Sequence, residues 1–127
     1  MLTIHTPLSI APPSSAYAHS VSAPVDSRWL HISGQVGVND DGTIAGDAEA
    51  QMNACWRRIF VILEDAGMAK TNIVKVTVFI TDTDLVSTYR VVRDRQLEGH
   101  LTASTLLVVS ALAHPEWLVE IEAVAAG

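Results

Sequence analysis

The stretch that decides the fold is "NIVKVTVFITD", residues 72–82. It is β-branched and nearly all apolar. Such a run suits a central strand with both sides mostly buried, because branched side chains pack well on a pleated surface. What surrounds this strand therefore sets the architecture.

Upstream, "DAEAQMNACWRRIFVILEDAGM" (47–68) reads as a helix. Ala48, Met52, Cys55, Ile59, Ile62, Leu63 and Ala66 follow the three-to-four spacing of one buried stripe. Asp47 suits the N-cap, and Gly67 suits the position just past the C-terminus. Downstream, "DLVSTYRVVRDRQLEG" (84–99) predicts a second helix. Leu85, Tyr89, Val92 and Gln96 mark one face, Asp82 or Thr83 can cap it, and Gly99 ends it. Two strands close the chain, "STLLVVSAL" (104–112) and "WLVEIEAVA" (117–125), with Pro115 in the connector because it cannot continue a ladder.

At the other end, "APPSSAYAHSVSAPV" (11–25) runs from an irregular proline-serine segment into strand-like alternation. "VDSR" (25–28) predicts a hairpin turn into "RWLHISGQVGV" (28–38), a strand interrupted at Ser33–Gly34. Glycine within a strand marks a bulge or a close backbone approach. The order is strand, strand, helix, strand, helix, strand, strand. That is α+β: one mixed sheet with both helices on one face. A length of 127 residues favours one domain, 1–127. Nothing in the chain is left to cover the second sheet face, so a homo-oligomer that packs sheet faces together is expected.

Composition narrows the function classes. The net charge is −6, with eight basic residues spread along the chain, so no nucleic-acid partner is expected. The one basic cluster, Arg90, Arg93 and Arg95, reads as a solvated helix face. No apolar stretch approaches the ~18 residues of a membrane span, and no membrane partner is expected. "MLTIHTPLSIAPPSS" lacks the basic start of a secretory signal. Cys55, a lone cysteine, excludes an internal disulfide, fits a reducing cytoplasm and falls on the apolar side of its helix as a packed thiol.

No HExxH, CxxC, Walker or GxSxG spacing is present, and the five histidines show no paired ligand spacing, so neither a metal nor a cofactor is expected. The polar residues that stand out lie at strand irregularities: Tyr17, Ser33 with Gly34, Ser104 with Thr105, and Glu120. Glu120 and Glu122 share one face of the last strand, opposite Val119, Ile121 and Ala123. By pattern alone these are a turn, a bulge, a strand start and a solvated face.

Four blocks in order carry a resemblance: "ISGQVGVNDDGTI" (32–44), "AEAQMNACWRRIFVILEDAGM" (48–68), "NIVKVTVFITD" (72–82) and "VEIEAVA" (119–125). From about residue 14 to residue 125 the chain resembles the RidA family, also called YjgF/YER057c/UK114, some of whose members carry the label endoribonuclease L-PSP. The resemblance implies a chorismate-mutase-like α+β domain in a homotrimer whose sheets line a central barrel, with clefts between subunits. It implies hydrolysis of small reactive imines or enamines to a keto acid and ammonia. Glu120 matches the family glutamate that orients water and moves protons, and Tyr17 the tyrosine of the N-terminal loop. Ser33 and Gly34 match the serine-glycine pair that shapes the cleft. The family's "PARS"-like segment corresponds to "TAST" (102–105), so Ser104 stands in place of the arginine that clamps the substrate carboxylate, followed by Thr105. Leu106 stands where many members have cysteine, and Thr102 where they have proline. Two routes are open: another arginine, such as Arg28 or Arg90, reaches the cleft, or the substrate lacks a carboxylate and binds the Ser104 hydroxyl. The alternative function is a non-catalytic trimeric protein, stress-related or binding a small ligand. A ribonuclease is disfavoured by the negative charge and the absence of a histidine pair.

Overall fold

A computed structural model describes the chain from Met1 to Gly127. Its main sheet has four strands in the order β3-β6-β4-β5. These are β3 (Trp29–Val36), β6 (Val119–Ala126), β4 (Ile73–Ile80) and β5 (Ala103–Val108). β6 runs antiparallel to both β3 and β4, while β4 and β5 are parallel, so the sheet is mixed as expected. Helices α1 (Ala48–Asp65) and α2 (Val86–Leu97) supply the cover on one face.

Alternation along the two inner strands shows which face that is. Ile73, Val76, Val78 and Ile80 of β4 are buried, as are Val119, Ile121, Ala123 and Ala125 of β6. They pack against Met52, Cys55, Trp56, Ile59 and Leu63 of α1, and against Tyr89, Val92 and Leu97 of α2. The other side of β4, with Lys75, Thr77 and Phe79, is only half-buried. The sequence predicts burial of both sides; this chain by itself covers one.

Both helix starts follow their capping chemistry. The Asp47 carboxylate accepts from the Ala50 N–H at 2.9 Å, satisfying a donor that the first helical turn leaves free. Asp82 accepts from the Asp84 N–H and caps a short 3-10 turn, Thr83–Leu85, that leads into α2. At the far ends Gly67 and Gly99 adopt φ of +72° and +87°, the left-handed conformation that glycine takes without strain.

The N-terminal region departs from expectation. The strand around residues 18–23 is β2 (Ser20–Ser22), and it does not form a hairpin with β3. It pairs antiparallel with β1 (Thr3–His5) in a separate two-stranded sheet. Side chains reinforce that pairing: His5 Nε2 bonds Ser22 Oγ at 2.7 Å, and Ser20 Oγ donates to the His5 carbonyl. A three-residue strand with only Val21 half-buried is too short to show a periodicity by which to read it. At the other end, the strand expected over 104–112 stops at Val108.

The connector from Val109 to Leu118 is tied down by α1. Gln51, 2% exposed, donates from Nε2 to the Glu116 carbonyl at 3.0 Å and accepts from the Leu118 N–H at 2.9 Å. Gly37 lies flush against Gln51, where a Cβ would overlap the backbone and stem of that residue. No helix is long and apolar enough to cross a membrane.

Candidate functional site

The residues singled out in the sequence fall into two groups. The first surrounds the break in β3. The register of β3 on β6 shifts between Ile32 and Gln35, so Ser33–Gly34 form a bulge. Gln35 anchors it: its Nε2 donates to the Ser33 carbonyl at 2.9 Å, and its Oε1 accepts from Arg58 Nε at 2.9 Å. Glu120 sits on β6 between Val36 and Phe79, on the face away from the helices. Its carboxylate lies directly over Gly34; a Cβ at Gly34 would overlap the Glu120 carboxylate oxygen. The glycine thus permits a close approach between a strand backbone and an acid. Glu122, one pair further along beside Thr77, is exposed. The two acids share a sheet face, yet only Glu120 meets the bulge.

The second group lies at the β5 edge. The Ala18 N–H donates to the Thr102 carbonyl at 2.8 Å, and Ala18 bridges Ala103 in parallel. This tether brings Tyr17, half-buried, beside the start of β5. Tyr17, Ser104 and Leu106 then line one cavity of about 170 Å³. Ser104 pairs with Val76 and so faces the helix side of the sheet. Thr105 pairs with Thr77 and faces the other way, where its hydroxyl accepts from Lys75 Nζ at 2.6 Å. Within one protomer, Glu120, Ser33 and Gly34 are therefore separated from Tyr17, Ser104 and Leu106, on opposite faces and towards opposite edges of the sheet.

The arginines answer one sequence expectation and overturn another. Arg28 donates to the Ala66 carbonyl at 2.7 Å, at the end of α1. Arg90 does line the β5 cavity. The basic cluster is not a uniformly solvated face: Arg90 and Arg95 are exposed, but Arg93 is 5% exposed and lines the same cavity. Sequence reading missed it. Its position one helical turn after Tyr89 was the available signal, since residues four apart share a helix face. Gln35, Arg58 and Gln51 were also missed; polar side chains in apolar surroundings give no hint of their partners.

Other ionisable groups serve the structure. The Cys55 thiol is pushed up to about 12 by burial, so it stays protonated at neutral pH. The His100 ring bonds the Ile73 carbonyl at 2.9 Å. No three His, Cys, Asp or Glu side chains gather as metal ligands.

Comparison with known proteins converges on one family. The profile of the endoribonuclease L-PSP family matches residues 9–127. The 2-iminobutanoate/2-iminopropanoate deaminase of Rattus norvegicus is 30% identical over 89% of this chain and 82% of its own length. A RutC family protein of Aquifex aeolicus is 36% identical, over 65% of this chain and 63% of that protein. In three dimensions, YyfB of Yersinia pestis, a Rid-family protein of unknown function, superposes with a TM-score of 0.89 at 28% identity, over 98% of this chain and 97% of that one. With the family profile, the relatives and the fold in agreement, the chain belongs to the RidA/YjgF family, whose profile bears the description endoribonuclease L-PSP.

Proposed function

We propose that this chain, as one RidA-like domain, hydrolyses small imines or enamines in clefts between the subunits of a cyclic homotrimer. The observation that carries the reading is the placement of the Glu120 carboxylate over the Gly34 bulge. The imine deaminase of the rat, similar over most of the chain, supports the reaction type.

The reaction asks little of the protein. Water adds to the electrophilic imine carbon, and the resulting carbinolamine expels ammonia and leaves a carbonyl. Two protons move from oxygen to nitrogen, one in each step. Glu120 takes each proton from oxygen and delivers it to nitrogen, ending as it began. The Ser33–Gly34 bulge holds the carboxylate's position, while Tyr17, Ser104 and Leu106 shape the pocket from one face of β5 and Thr105 from the other.

The edge strands support the trimer in this reading. β3 and β5 are the two edge strands of the sheet, with the acid group near one and the Tyr17–Ser104 group on the other. Head-to-tail association sets the β5 edge of one protomer against the β3 side of the next, and such contacts close into a ring when the rotation permits. Each cleft then combines both groups, and the half-buried face of β4 is covered. The single, buried cysteine supports a reducing cytoplasm as the setting.

The test is ammonia release from freshly generated 2-iminobutanoate and from a neutral imine, with wild type and Glu120→Gln, alongside the mass in solution. Turnover by a trimer, abolished in the variant, is expected. A trimer that binds such compounds without consuming them would instead make this a ligand-binding protein.

A further inference from the structure

The cavity at the β5 edge holds an unusual combination. Four buried side-chain polar atoms in the chain have no hydrogen-bond partner, and two of them, Arg93 Nη2 and the Tyr89 hydroxyl, belong to residues lining this one cavity. Arg93 is a buried cation whose needs are only partly met. Its Nε donates to Asp94 at 2.9 Å, and its Nη1 reaches Ser15 Oγ at a long 3.4 Å. A buried guanidinium with a free N–H is costly unless something accepts from it. Arg90 adds a second cation to the wall, and no carboxylate lines the cavity. In a chain of net charge −6, this is a local concentration of positive charge and buried donors around one cavity.

We propose that Arg93 and the Tyr89 hydroxyl bind the carboxylate of a small substrate in this cavity, so that α2 supplies the cation that β5 lacks at Ser104. A carboxylate oxygen suits the unpartnered Nη2 and displaces the long Ser15 contact at Nη1 to make a paired bond, and a volume of about 170 Å³ suits a short 2-imino acid. The identity of the carboxylate as an imino acid rests on the hydrolase reading above; the binding of a small carboxylate does not.

Calorimetry with 2-oxobutanoate, an unreactive product-like anion, tests the site. Wild type is expected to bind it and not its methyl ester. Arg93→Gln is expected to weaken binding by about tenfold to a hundredfold, the scale of a lost charge-assisted contact. Ser104→Asp leaves Arg93 in place, sets a fixed carboxylate on the wall of the same cavity, and is also expected to abolish binding. Should Arg93→Gln fail to fold, Ser104→Asp decides alone. Equal binding of acid and ester, unchanged binding in a folded variant, or tighter binding of inorganic phosphate than of 2-oxobutanoate would overturn the proposal. Hydrolysis of a neutral imine by a protein that does not bind 2-oxobutanoate would sink the Arg93 site and spare the hydrolase. Carboxylate binding lost in both variants, with no imine of either kind consumed, would do the reverse.

Discussion

The acid group at the β3 bulge and the cation group at the β5 edge are built in contrasting ways. At the bulge, backbone geometry does the positioning. A one-residue register shift, a glycine and a neighbouring glutamate meet across two adjacent strands, and a single glutamine pins the bulge carbonyl. At the edge, side chains from three distant segments converge: Ser15 and Tyr17, Tyr89 to Arg93, and Ser104 to Leu106. The first arrangement tolerates little change in residue type. The second draws on several elements, and under the proposal above α2 supplies the cation that β5 lacks at Ser104.

Substitutions can sharpen this contrast. The largest effect is expected for Glu120→Gln, which should lower kcat for ammonia release by about a thousandfold, within the range for loss of a general acid–base group. Its melting temperature should stay near wild type, because the carboxylate makes no hydrogen bond that supports the fold. Next comes Gly34→Ala. The new Cβ displaces the end of a flexible side chain, so kcat should fall about a hundredfold while stability changes by under about 1 kcal/mol, read by urea titration. A larger loss of stability than of rate would mean that the bulge serves folding first. Gln35→Ala should cost about 1–2 kcal/mol and roughly tenfold in rate, since it strands the Ser33 carbonyl and the Arg58 guanidinium in a part-buried setting. Rescue of the rate by Gln35→Glu would show that the Arg58 contact, rather than the Ser33 bond, is decisive.

The smallest effect is expected at Cys55. With its thiol raised by burial from 9.0 to about 12, about one molecule in ten thousand carries the thiolate at pH 8, and iodoacetamide should leave both protein and activity intact. Between those two values the folded chain holds a proton that the unfolded chain releases. Stability therefore falls as pH rises from about 9 towards 12, and Cys55→Ala should flatten that slope.

The same contrast explains what could be read from the sequence. The α1 stripe, the Asp47 cap, the central strand and the Ser33–Gly34 break are all local patterns, and each has its counterpart in the structure. Glu120 was separable from Glu122 only through the family resemblance, because alternation puts both on one face. Arg93 escaped because three arginines in six residues look like a solvated surface, although the spacing from Tyr89 places it on the buried side. The β1–β2 pairing escaped for a different reason: its energy comes from a few long-range bonds and not from an apolar stripe.

The Gln51 clamp has a consequence for protein engineering. It grips Glu116 and Leu118, two residues short of Glu120, and so it sets where β6 begins regardless of how the chain arrives there. The stretch from residue 110 to residue 115 could be lengthened, or exchanged for a foreign peptide, without sliding the acid along its strand. That turn is the place to graft a new recognition loop without moving Glu120.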